Sequence, residues 1–236
     1  MSADVHELLD SPAMGRRVHL WRYGWWGEPL VAFPSAGGYA HEWQQHGMID
    51  ALRPWLDAGR VKVYQPEHEA SHSWLSDGPD EGRRDMAARY RAFIEDEFLN
   101  YVAEDCQTPG IRIAFAGCSL GAAYTVLTAL RTPERVSTCL GLSGRYHLEP
   151  FLAGTADLDP MSAAAKSGAH TPPIDLVCGT GAWEGRCVDE TRAMADVLTG
   201  RGAPVRLHLL GPKATHGWPS WTRQIAAWAT LRWGPV

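Results

Sequence analysis

Short apolar runs alternate along this chain with stretches whose apolar positions recur every three or four residues. "VHLWRY" (18–23) and "PLVAFP" (29–34) read as strands joined by a glycine-containing turn at 24–28. "GRVKVYQPE" (59–67) reads as another strand, after a short helix around 47–57. Residues 80–104 space Met86, Tyr90, Phe93, Ile94 and Phe98 at helical intervals, the strongest helical signal in the chain. "RIAFAG" (112–117) has the unbroken apolar character of a buried strand and runs into a helix at 121–131, stopped by Pro133. Further strands are predicted at 138–144, 174–180 and 205–211, and helices at 189–202 and 218–233. The segment 145–173 is Gly/Pro/Ala-rich and weakly patterned. Strand alternating with helix predicts the α/β class: a mostly parallel central sheet with helices on both faces, wound by right-handed crossovers.

Two motifs compete for the chemistry. "HEASH" (68–72) matches the H-E-x-x-H pattern of zinc peptidases, and "GCSLG" (117–121) matches the G-x-S-x-G pattern of serine hydrolases. The zinc pattern works only on a helix, which puts two histidines on one face with the glutamate beside a metal-bound water. Here it follows a strand and Pro66 and precedes "SWLSDGPDEG", a short polar stretch with no apolar stripe to bury a helix. Glu95 or Glu97 would have to supply the third ligand. The bland reading is a polar loop at the carboxyl end of a strand, where pockets form in such sheets.

"GCSLG" has the context its chemistry requires, a buried strand directly before it and a helix directly after. That strand–turn–helix geometry is a nucleophile elbow: Ser119 sits on a strained turn, and Gly117, Gly121, Ala122 and Ala123 keep the turn free of clashes. A serine hydroxyl needs an adjacent base, and the base needs a carboxylate to orient it. With the chain order Ser, acid, His, the acid is expected after strand 174–180 and the base after the last strand. Glu184 in "GAWEG" and His216 in "PKATHGW" occupy those places. Asp189, Asp157 and Asp159 remain alternative acids, Asp189 reading better as a helix cap or first-turn carboxylate. Two backbone N–H groups must hold the oxyanion: that of Leu120 and that of Ala36 or Gly37 in "SAGGYAHEW".

Composition narrows the setting. The chain has 236 residues, 45% apolar and 21% charged, and a net charge of −5 without a basic cluster, so nucleic acid and anionic membrane are not expected partners. No apolar run reaches the length of a membrane span, and "MSADVHELLDSPAMG" has neither the basic nor the apolar region of a signal peptide. Five cysteines without C-x-x-C spacing suit a reduced, cytoplasmic protein. Tryptophan is over-represented, with 11 residues. Most are expected in the core, with some bordering the site because two closely follow His216. Tyr39, Trp74, Trp183 and Trp218 are the candidates for substrate contact, Trp74 through a loop wall at 67–77 that also carries His68 and His72.

Taken in order, "FPSAGG" (33–38), "GCSLGA", "CGTGAWE" and "HGWPSW" resemble the bacterial putative-esterase branch of the α/β-hydrolase superfamily, to which esterase D, enterochelin esterase and the antigen 85 acyltransferases are related. The resemblance spans roughly residues 17–233. It implies a single α/β-hydrolase domain over 1–236, with 145–173 as a short cap in which Tyr146, Phe151 and Leu152 shape an acyl pocket. It also implies a Ser–acid–His triad in which the acid can be Glu. One departure is Gly217, where many relatives carry Asp after the histidine. The reading is a serine esterase acting on a small-molecule or oligomeric ester through an acyl-enzyme, with no metal or organic cofactor. An acyltransferase using the same triad is the alternative, followed by a non-catalytic binding module and a zinc peptidase.

Overall fold

The computed structural model describes residues 4–236. Eight strands form one sheet: β1 (Val5–Ser11), β2 (Arg16–Tyr23), β3 (Glu28–Phe33), β4 (Val61–Pro66), β5 (Ile113–Cys118), β6 (Val136–Leu142), β7 (Ile174–Cys178) and β8 (Val205–Leu209). Their order is β1-β2-β4-β3-β5-β6-β7-β8, with β1 and β2 antiparallel to their neighbours and every later pair parallel. The helices are α1 (Glu42–Gln45), α2 (Met48–Asp57), α3 (Asp80–Ala92), α4 (Leu99–Asp105), α5 (Leu120–Arg131), α6 (Pro160–Ala164), α7 (Gly185–Gly200) and α8 (Trp218–Trp233).

The central strands are apolar on both sides because both sides are covered. Along β3, Leu30 and Ala32 face one core, and Val31 and Phe33 the other. Along β5, Ala114, Ala116 and Cys118 alternate with Ile113 and Phe115 in the same way. With a side-chain period of two, an unbroken apolar run supplies both faces at once. The first core is closed by α2 and α8, through Ile49, Leu52, Trp55, Trp221, Ile225 and Trp228. The second is closed by α3, α4, α5 and α7, through Tyr90, Val102, Val126 and Met194 among others.

The structure departs from the sequence expectations in three places. Strand β1 was not expected. It alternates half-buried and exposed positions at the sheet edge, so it carries little apolar signal. The helix expected at 80–104 is three pieces, since residues Phe93–Phe98 form a π-helical segment between α3 and α4. Helix α7 begins at Gly185, four residues before the expected start, so Glu184 occupies its N-cap position.

Segment 145–173 contains two 3-10 turns, Glu149–Phe151 and Ala156–Leu158, followed by α6. Tyr146 and Leu152, expected to shape an acyl pocket, are instead buried in the core, Tyr146 filling the space beside Gly141 and Gly144. Phe151 lies partly buried beneath the Arg145 guanidinium, 5.0 Å from its ring centre.

The start of α5 is pressed onto the end of β3. A methyl group at Gly121 would lie 2.2 Å from the Pro34 carbonyl oxygen and 2.6 Å from that of Phe33. Both neighbours are backbone, so neither can yield locally. Gly121→Ala should therefore lower stability by at least about 2 kcal/mol, read as a fall in the urea midpoint.

Candidate active site

Strand β5 delivers Ser119 at the carboxyl edge of the sheet with φ 57° and ψ −120°, a backbone conformation that L residues rarely hold. Its own N–H is tied to the Leu142 carbonyl at 2.9 Å. Gly117 lets the turn close, since a methyl there would lie 2.2 Å from the Gly121 carbonyl oxygen. Helix α5 starts at the next residue.

His216 lies in the loop between β8 and α8, anchored by its N–H on the Ala182 carbonyl at 3.1 Å. Its Nε2 is 3.0 Å from Ser119 Oγ and its Nδ1 is 3.3 Å from Glu184 Oε2. This geometry calls for the tautomer in which Nδ1–H donates to the carboxylate and Nε2 accepts from the serine hydroxyl. The Trp221 indole packs edge-on against the imidazole, ring centres 4.9 Å apart.

Glu184 has no solvent exposure. A charge taken wholly out of water needs its lone pairs filled. Ser143 Oγ–H donates to Oε1 at 2.7 Å and Gly179 N–H at 3.2 Å, while the Cys178 thiol approaches Oε2 at 3.4 Å. Trp221 Nε1–H in turn donates to Ser143 Oγ at 3.1 Å. Ser143 and Trp221 were missed in the sequence because nothing in "LSG" or "HGWPSW" reports that they meet across the fold. The other candidate acids are elsewhere: Asp157 and Asp189 are exposed, and Asp159 is buried but occupied by the N–H groups of Leu148, Glu149 and Ser162.

The N–H groups of Leu120, Ala36 and Gly37 have no hydrogen-bond partner among the described residues. The loop holding the last two is braced from beneath. Glu42, buried, accepts from Ser35 N–H at 2.5 Å and Ser35 Oγ–H at 2.8 Å, and burial raises its pKa. His68 Nε2–H donates to the Ser35 carbonyl at 2.5 Å, and His68 N–H to the Gly38 carbonyl at 3.0 Å.

That bracing is the structural role of "HEASH". Residues Ala70–His72 form a single 3-10 turn rather than an α-helix. His68 is held neutral, its second nitrogen accepting from Ala70 N–H at 3.2 Å, and burial lowers its pKa to about 4. His72 points to solvent. Glu69 is buried against Tyr124 and Ser73, whose hydroxyls donate to Oε1 at 2.8 and 3.0 Å. The two histidines therefore do not converge on a common point with Glu69 as a zinc site requires.

Of the candidate substrate contacts, Tyr39 and Trp183 are exposed, Trp183 at 88%, directly before Glu184. Trp218 is half-buried and stacks on His46 with ring centres 4.3 Å apart. Trp74 is corrected: at 4% exposure it belongs to the core beside Tyr90 and Tyr124, because the 3-10 turn folds the loop inward. A 710 Å³ groove between β8 and α8, lined in part by Asp175, Arg206, Gln224 and Trp228, shares no lining residue with Ser119, Glu184 or His216.

A mostly parallel sheet, covered on both faces, with a serine on a strand–turn–helix elbow facing a histidine, defines an α/β-hydrolase. The sequence profile of the family described as Putative esterase matches residues 63–229, and the chain belongs to that family. It is accordingly a serine carboxylic-ester hydrolase. Solved structures agree on the fold. A ferulic acid esterase superposes with a TM-score of 0.79 at 14% identity, covering 98% of this chain and 97% of its own. MPT51 (FbpC1) of Mycobacterium tuberculosis superposes at 0.77 with 16% identity and 99% of both chains. The S-formylglutathione hydrolase FrmB of Staphylococcus aureus superposes at 0.75 with 15% identity and 98% of both. No curated protein sequence gives a significant match.

Burial is the first cause that raises the Glu69 pKa from its ordinary 4.5 to about 7. A carboxyl that binds its proton more tightly when folded stabilises the fold at low pH, and that stability is lost as pH rises from 4.5 to about 7. Glu69→Gln keeps an acceptor for Tyr124 and Ser73 without the charge. Its stability relative to wild type should improve by about 3 kcal/mol between about pH 5 and about pH 8, measured by urea unfolding at each pH.

Proposed function

We propose that Ser119, His216 and Glu184 are the nucleophile, base and orienting acid of ester hydrolysis. The observation that carries this reading is the continuous contact from Ser119 Oγ to His216 Nε2 at 3.0 Å and from His216 Nδ1 to Glu184 at 3.3 Å. Ser119 attacks the ester carbonyl while His216 takes its proton, and the buried Glu184 carboxylate stabilises the imidazolium that forms. The oxyanion is held by the N–H of Leu120 and that of Ala36 or Gly37, the former at the positive end of α5. Collapse expels the alcohol, protonated by His216, and leaves an acyl group on Ser119. Water, deprotonated by the same histidine, then releases the acid.

The substrate is a small or oligomeric ester, its non-reacting part resting on the exposed aromatic faces of Tyr39, Trp183 and Trp218. The whole chain acts as one hydrolase domain, with 145–173 a short cap closed over the second core. Among the described residues, no helix is long and apolar enough to cross a membrane.

Treatment with a fluorophosphonate should add one adduct to the intact mass of the wild type and none to Ser119→Ala. On a simple aryl ester, Ser119→Ala should lose at least about 10⁴-fold in kcat/KM. Glu184→Gln should lose about 10³- to 10⁴-fold, mainly in kcat. Wild-type protein that takes no adduct would remove the reading. Free acid as the main product in the presence of added alcohols would identify water as the acceptor, and ester products would identify an acyltransferase.

A further inference from the structure

The fold gathers metal-capable donors, but not at residues 68–72. Glu184, Cys187 and His216 each offer one donor atom, and these atoms lie within 4.8 Å of one another. Among the described residues, no other three His, Cys, Asp or Glu side chains converge in this way. Glu184 is at the N-cap of α7 and Cys187 follows three residues later, so one helical turn brings the thiol over the carboxylate. His216 arrives from the loop before α8. Cys187 is 4% exposed, has no hydrogen-bond partner among the described residues and takes no part in the proposed hydrolysis.

A carboxylate oxygen, a thiolate sulfur and an imidazole nitrogen are the three donor types that zinc accepts, with water completing a tetrahedron. The charges also fit a buried place. One carboxylate and one thiolate neutralise a divalent cation, so the loaded cluster carries no net charge into the interior. Ser143 and Gly179 already fill Oε1 of Glu184, whereas Oε2, the oxygen nearest His216, meets only the His216 Nδ1 that would itself turn to the metal and the weakly donating Cys178 thiol at 3.4 Å.

We propose that Zn²⁺, or another thiophilic divalent cation of similar size, binds Glu184, Cys187 and His216 and thereby switches off the esterase. Cys187 releases its thiol proton to solvent and coordinates as thiolate. His216 coordinates through Nδ1, so a metal bond replaces the Nδ1–H···Oε2 hydrogen bond and the imidazole proton moves to Nε2. Nε2 then carries a hydrogen and can no longer take the proton of Ser119. No electron is transferred, and removing the cation restores the original tautomer. The inhibitory effect rests on the triad reading above, whereas the binding site does not.

The test titrates the full chain with Zn²⁺ while following aryl-ester hydrolysis, and with Co²⁺ while following absorption. One equivalent of Zn²⁺ should abolish activity, and a chelator should restore it. Co²⁺ should give a near-ultraviolet thiolate-to-metal band at the same stoichiometry. Cys187→Ser should lose the band and raise the half-inhibiting Zn²⁺ concentration about 100-fold or more, while keeping its basal activity. Cys106→Ser, at the one cysteine that is not buried, should change neither.

A band or an inhibition undiminished in folded Cys187→Ser would overturn the site. Cys187→Ala repeats the test with no oxygen to replace the sulfur, and covers a serine variant that fails to fold. A band without loss of activity would also overturn the proposal, because a cation on Nδ1 cannot leave His216 a working base. If the protein proved inactive before any metal was added, the triad reading would fail, and the cobalt band would still decide the site.

Discussion

Backbone touches backbone where α5 starts against the end of β3, and the reacting geometry depends on that contact. At Gly121 the helix approaches the Phe33 and Pro34 carbonyls too closely for any side chain. The contact fixes the Ser119 turn relative to the loop that leaves β3. It thereby brings the free N–H of Leu120 and those of Ala36 and Gly37 to one edge of the sheet. The apolar packing of β3 and β5 on both faces holds the two strands in register beneath. A strained serine persists only where its surroundings over-determine it. Here the Leu142 carbonyl, the glycines at 117 and 121, and the buried start of α5 do so together.

Burial of Glu184 is the second constraint, and it follows from the first. Once β5 and β6 are parallel neighbours, their carboxyl ends place Ser119 and Ser143 side by side, and β7 brings Gly179 to the same edge. A carboxylate there is out of water and must collect donors from each of these elements. Ser143 is held in turn by Trp221 from α8. The orientation of His216 is thus linked to helix packing on the far side of the first core, not to the loop that carries it alone.

The parts of the site that are legible in the sequence are those set by chain order and backbone geometry. Ser119 is marked by strand, glycine and helix in succession, and Glu184 and His216 by their places after later strands. What the sequence does not show depends on distances between elements far apart in the chain. Ser143 and Trp221 are ordinary residues until β6 and α8 are packed. Trp74 looks like a pocket wall until its loop turns inward. β1 is invisible for a related reason: half of its side chains face solvent, so pairing with β2, and not an apolar pattern, makes it a strand.

The H-E-x-x-H motif illustrates how a side-chain pattern takes its meaning from the backbone that carries it. On an α-helix, positions i and i+4 face one way and two histidines can share a metal. On the 3-10 turn after β4, the same letters point apart: His68 inward to Ser35, Glu69 inward to Tyr124, and His72 outward. The histidine is neutral, its pKa lowered by burial to about 4, and burial raises that of the glutamate to about 7. His68 sits directly beneath the loop whose N–H groups, at Ala36 and Gly37, have no hydrogen-bond partner among the described residues. The same sequence letters that on a helix would make a metal site here form a brace beneath that loop.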